Sequence, residues 1–266
     1  MTIAGVGGKN FIYCSQIKAS MTGSNESSRS NNLSIKVPES SKVGKFSVIY
    51  SGVNIGKNVT IHPHVIIESG VSIGDGTEIF PGTYLGKHPS GVSSISRRIA
   101  YKQIVKIGEG CKIGPYSVIY QDVEIGKNSL VGDFASIREQ SIIGANVIIG
   151  RYVSINYNTR IGDNVKIMDQ SWLAGNMVIE NNVFISGHVG TANDNNVMSR
   201  VYNDDVVGPS ICENAFIGLG ANILPGVRVG KGSVVGAGSL VTKNVPDHAL
   251  VMGSPAKIIR FLEKAD

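Results

Sequence analysis

Beginning at Val43, an aliphatic residue returns every six positions: Val43, then Ile49, Ile55, Ile61, Ile67, Ile73 and Ile79. The register resumes at Ile107 and runs unbroken to Ile185, then again from Ile211 to Val241. All 27 of these positions hold Ile, Val or Leu, although those three types supply only 72 of the 266 residues. The fifth position of each hexad is small or β-branched (Ser47, Val53, Cys111, Ala135, Ser171, Ala221), with Met177 the bulky exception. Pro63, Pro81, Pro115 and Pro225 all fall at the third position, where a turn uses a fixed φ. Six residues suit one short strand and one turn. Two inward residues per hexad, one large and one small, tile a narrow prism. Three hexads, or 18 residues, close one coil, and successive coils hydrogen-bond as parallel strands roughly 4.8 Å apart. The expectation is an all-β solenoid of about nine to ten coils.

Composition agrees. The chain has 33 glycines, 6% aromatic and 17% charged residues, yet is 42% hydrophobic. A core of β-branched aliphatics with few rings is strand-rich. No stretch approaches the roughly 20 apolar residues of a membrane helix, and glycine lacks the every-third spacing of collagen. The net charge of +5 includes no basic run, which argues against a nucleic-acid partner. Cys14, Cys111 and Cys212 form no CxxC pair, and the N-terminus lacks a basic stretch followed by a long apolar run. Both features point to a cytoplasmic protein.

The glycine phase carries functional information. Glycine fills the second hexad position at 108, 114, 126, 132, 144, 150, 162, 218, 230 and 236. Every third hexad instead places Tyr120, Arg138, Asn156, Ala174, Leu224 or Thr242 there. These recur at 18-residue spacing, so one edge of the prism presents a polar ladder. The repeat breaks at 86–106 and 191–210. If each break replaces one hexad, both loops leave from that same edge. Long loops in compact folds are commonly functional, and the two bracket an extended groove.

On the ladder, Asp122, Glu139 and Asn158 fall on successive coils, with Tyr157 beside the last; the first three are the candidates for catalysis, and all four for contacting one bound substrate. The first loop supplies Lys87, Arg97, Arg98 and Lys102, donors suited to a nucleotide diphosphate. The second, rich in side-chain amides, reads as a polar lid, and His188 just before it is a candidate base. A zinc site needs converging histidines; His62 and His64 flank a turn proline with no partner one coil away, so no metal is expected. Residues 1–42 lie outside the repeat, 43–246 form the prism, and 247–266 form a cap. Ser254-Pro255 reads as the start of a short helix, with Ile258, Phe261 and Leu262 turned inward.

The pattern aliphatic, Gly, two variable residues, small, variable resembles the hexapeptide-repeat acyltransferases over residues 43–260. That resemblance implies a left-handed parallel β-helix and acetyl-CoA as acyl donor. The stretch IGLGANILPGVRVGKGSVVGAGSLVTKNVPDHALVMGSPAKIIR looks like the coenzyme A end of such enzymes. It implies Ala221, Gly236, Ala237, Lys243, Lys257 and Arg260 as cofactor contacts. SINYNTRIG and TANDN are similar to the sugar-nucleotide N-acetyltransferase branch. That likeness implies a nucleotide-linked amino sugar as acceptor, with a dTDP-linked 3-amino-3,6-dideoxyhexose the first choice. It also implies a role in surface polysaccharide biosynthesis and a homotrimer with sites between prisms. An acyltransferase acting on an antibiotic or a free amino acid, and a non-catalytic scaffold, remain open alternatives.

Overall fold

The structure is a computed structural model that describes residues 2–6, 9–13, 36–91, 97, 99–195 and 206–263. Each hexad forms one strand and one turn, and the strands stack into the three faces of a left-handed triangular prism. The first face begins with Lys42–Val43, the second with Val48–Tyr50 and the third with Asn54–Ile55. Ten coils follow one another, and Ala249–Gly253 opens an eleventh on the first face. Pairing is parallel at the 18-residue offset: Ile119 meets Ile137, Ile137 meets Ile155, and Ile155 meets Leu173.

This register stacks the aliphatic first positions into three inward columns. Ile61, Ile79, Ile119 and Ile137 are fully or almost fully buried, and so are the small fifth positions Val59, Cys111 and Ala135. Serine is accepted at the fifth position because the turns satisfy it. Ser129 Oγ donates to the Gly144 carbonyl (3.2 Å) and accepts from the Val147 N–H (3.1 Å). A buried hydroxyl with both roles filled carries little penalty.

The three edges differ. Between the third and first faces, successive turns touch. A Cβ at Gly108 would lie 2.5 Å from the Lys127 nitrogen, so only glycine fits. The fourth position on this edge has positive φ and is held by Asn58, Asn128, Asn146, Asn164, Asn182 and Asn214, a residue that tolerates that conformation. Asn146 donates to Asn164 (3.2 Å), and Asn164 to Asn182 (3.1 Å). Between the first and second faces, the same positive-φ position carries Phe46, His64, Tyr116, Phe134 and Tyr152. Their rings stack, Tyr116 on Phe134 at 5.2 Å and Phe134 on Tyr152 at 4.9 Å, with roughly half of each side chain exposed.

Between the second and third faces lies the loop edge. The first break joins Tyr84–Lys87 to Val105–Ile107, and the second joins Gly190–Thr191 to Ser210–Ile211. Each runs from the second face to the third, so both leave this edge.

The ends depart from the solenoid pattern. Thr2–Val6 and Lys9–Tyr13 form a hairpin whose second strand runs antiparallel to Val48–Tyr50. At the other end the expected helix is absent. Ala256–Phe261 instead folds back antiparallel on Ala249–Gly253. The open edge of the first face offers unpaired backbone groups, and the β-branched pair Ile258-Ile259 suits a strand. The inward apolar face is corrected too: Ile258 and Phe261 are exposed, and Leu262 is only half-buried.

Candidate active site along the loop edge

At the loop edge the second hexad position holds Glu68, Tyr120, Arg138 and Asn156 where the other edges mostly hold glycine, and the third position holds Gln121, Glu139 and Tyr157. Glu139 is completely buried. Arg138, its sequence neighbour, folds onto it with Nε 3.1 Å from Oε2 and Nη2 3.0 Å from Oε1. Arg97 reaches in from the first loop and pairs with Oε1 of the same carboxylate. A buried carboxylate requires such compensation, and here two guanidiniums supply it.

Aromatic rings position both arginines. Arg97 Cζ lies 3.9 Å above the Tyr157 ring centroid, and Arg138 Cζ lies 5.5 Å from that of Tyr120, which Lys87 Nζ also approaches at 5.0 Å. Tyr157 lies on Gly175, one coil further on; a Cβ there would fall 2.7 Å from the ring. From the second loop, Asn193 Nδ2 donates to the Tyr157 hydroxyl (3.3 Å) and to the Gly175 carbonyl (3.2 Å). Both loops therefore converge on Tyr157.

Asn158 is exposed, with φ of 52°, and donates Nδ2 to Asn176 Oδ1 at 2.8 Å. Asn176 in turn donates to the Val206 carbonyl of the second loop at 2.8 Å. Asn158 is thus oriented by its nitrogen. Asp122 occupies the equivalent fourth position two coils earlier, half-buried, its N–H donating to the Ile104 carbonyl at 2.8 Å.

The other candidates scatter. Lys102 is exposed on the first loop, and Arg98 lies outside the described residues. His188 sits on the aromatic edge, its N–H bonded to the Asp169 carbonyl at 3.0 Å, so one chain does not bring it to Glu139. Ala221 fills a fully buried core position. Gly236 and Ala237 lie on the aromatic edge, with the Met252 side chain against Gly236. Lys243 is exposed on the loop edge, and Lys257 and Arg260 are exposed on the terminal strand. The cofactor candidates thus divide between two edges and the hairpin. Gly175 and Asn193 were missed; their signal was an offset of 18 residues from Tyr157 and from Gly175.

The family model for the bacterial transferase hexapeptide (six repeats) matches residues 52–87, 104–139, 122–157 and 208–243, just under half of the chain. Over those residues the chain is similar to that family of transferases. Galactoside O-acetyltransferase of Lactococcus lactis is 50% identical to this chain over 54 residues, 20% of this chain and 26% of its own. A Saccharomyces cerevisiae protein named as an acetyltransferase is 37% identical over 94 residues, 34% of this chain and 48% of its own. The chain therefore spans between a quarter and half of these relatives. Arabidopsis UDP-N-acetylglucosamine acyltransferase superposes with a TM-score of 0.53 at 21% identity, over 81% of this chain and 72% of that one. That likeness is one of fold.

Proposed function

We propose that this protein is an acyltransferase that moves an acetyl group from acetyl-CoA to the amino group of a nucleotide-linked amino sugar, a dTDP-linked 3-amino-3,6-dideoxyhexose being the first candidate. The observation that carries this reading is the buried Glu139, compensated by cations and flanked by Tyr157 where both loops meet. A carboxylate beside an aromatic face is a seat for a cation, and Arg97 fills it in the free protein. The relatives' names supply the acyl chemistry.

In the reaction, the neutral sugar amine attacks the thioester carbonyl, the C–N bond forms, the C–S bond breaks, and the amine proton leaves with the CoA sulfur or through water. Glu139 orients the amine, and Asn158 Oδ1 and Asp122 accept from sugar hydroxyls. Much of the rate then comes from orientation. The exposed cations Lys243, Lys257 and Arg260 serve the phosphates of coenzyme A.

The aromatic edge and the exposed apolar face of the terminal hairpin are the surfaces for further copies in a homotrimer. A hydroxyl acceptor is the second reading, favoured by the Lactococcus relative.

The test is thiol release from acetyl-CoA against a panel of dTDP- and UDP-linked amino sugars, their hydroxy counterparts and free galactosides. Turnover confined to the amino sugars is the expected result. Turnover of galactosides alone moves the reading to O-acetylation.

A further inference from the structure

A second polar cluster lies on the loop edge at the root of the first loop, toward the N-terminal end from Glu139. Glu68 is 7% exposed, and its carboxylate accepts the Tyr84 hydroxyl at 2.8 Å. Burial first, then Glu68, pushes the Tyr84 phenol well above its ordinary range, so it remains a donor. The other Glu68 oxygen is 3.9 Å from His88 Nε2, and His88 Nδ1 is 3.1 Å from the Tyr101 hydroxyl.

Gln121 completes the cluster. It is wholly buried and donates Nε2 to the Ser69 carbonyl at 3.1 Å, which fixes the orientation of its amide. Its Oε1 is left as a buried side-chain acceptor with no partner among the described residues. An orphaned buried acceptor keeps its desolvation penalty and calls for a donor from elsewhere. Gly86, at a φ of 83°, lets Glu68 and Gln121 lie side by side. A Cβ there would fall 2.9 Å from Glu68 Cβ and 3.0 Å from Gln121 Nε2.

The cluster is rich in acceptors, and its complement is a group with donors: a nucleoside sugar hydroxyl and a pyrimidine ring N–H. The neighbouring level of the edge presents two cations, Lys87 and Arg138, on the one Tyr120 ring. Beyond them come Glu139 and Asn158. From the level of Gly86 to that of Asn158 is three coil steps, roughly 14 Å at strand spacing, the scale of an extended sugar nucleotide from nucleoside to hexose.

We propose that Glu68, Gln121 and His88 form the nucleoside pocket, so that a pyrimidine nucleotide sugar lies along the loop edge in one direction. Its nucleoside sits at the root of the first loop, its diphosphate at Lys87 and Arg138, and its amino sugar at Glu139. This rests on the nucleotide-sugar reading above and adds a binding site and a polarity to it.

Calorimetry with the full chain tests it, using dTDP and UDP as probes and acetyl-CoA as control. Glu68→Gln, Gln121→Leu and His88→Ala are each expected to weaken the bound nucleotide at least tenfold, with the Kd for acetyl-CoA unchanged within twofold. His88, about one-third exposed, carries the test if the buried variants misfold. Nucleotide binding by the wild type that His88→Ala leaves untouched overturns the pocket while the nucleotide-sugar reading stands. A wild type that binds acetyl-CoA but neither nucleotide overturns both.

Discussion

Arg97 lies over Tyr157, its Cζ 3.9 Å from the ring centroid, while the same guanidinium pairs with Glu139. The first loop is thereby tied to the edge by a residue 42 positions from its ionic partner. Arg97→Ala leaves Glu139 with Arg138 alone. We expect a loss of about 1–3 kcal/mol, below the cost of a fully unpaired buried charge, and faster tryptic cleavage at Arg98 and Lys102. Limited proteolysis beside thermal unfolding checks both, and unchanged cleavage would show that Arg97 is not the tether.

Glu139→Ala and Asn158→Ala are expected to lower kcat/KM for the amino sugar nucleotide at least about tenfold, or roughly 1.4 kcal/mol of transition-state binding. The Kd for coenzyme A should barely change. Asn158→Asp keeps an oxygen acceptor but loses the donor to Asn176, so a partial loss is expected. Steady-state kinetics with both substrates varied separates these effects, and full activity in the alanine variants would remove both residues from the site.

How legible was this site? The hexad phase identified the loop edge, because absent glycines mark turns that have room for side chains. It did not distinguish Glu139 from Asp122. Glu139 is buried beneath Arg97 and Arg138, and a contact such as Arg97 to Glu139 has no period. The C-terminal strand was misread for a related reason. Ser254-Pro255 has the local signature of a helix start, whereas the open edge of the first face is a property of the whole stack. The cofactor residues were grouped by closeness in sequence, but each coil distributes close neighbours over three edges.

The glycine-packed edge predicts a contrast between two substitutions. Gly108→Ala pushes a Cβ against the Lys127 backbone and should cost about 1–3 kcal/mol through overpacking. Gly76, at a φ of 67°, has open space around it and sits in the column that asparagine fills in other coils. Gly76→Asn should be close to neutral. Denaturant midpoints of the two variants decide it; equal midpoints would remove close packing as the reason for glycine.

On the aromatic edge, Phe134→Asn with Tyr152→Asn puts the residue that prefers positive φ in place of two half-exposed rings. The coil should tolerate the change, with the circular dichroism spectrum preserved. If this edge joins copies of the chain, sedimentation should show a shift toward monomer. An oligomer of unchanged mass would assign the interface to another surface.

Asp169 accepts the Arg151 N–H at 2.8 Å and its Nε at 2.9 Å. The backbone donor first, then the guanidinium, holds its carboxyl below the usual 3.8. A carboxyl depressed in the folded state contributes stability that is complete above its unfolded pKa and is lost as pH falls through the folded one. The Tm difference between wild type and Asp169→Asn should therefore be present at pH 7 and shrink below about pH 4. A difference independent of pH would assign it to geometry instead of charge.

The antiparallel strand Ala256–Phe261, outermost on the first face, has a consequence for growth. A bare parallel coil is a template for the next identical coil, the same geometry that lets fibrils elongate without limit. A strand laid in the reverse sense presents a different hydrogen-bond spacing to whatever approaches. Ala256–Phe261 thus acts as a terminator, and the number of coils before it becomes a measure of how long a molecule the loop edge can hold.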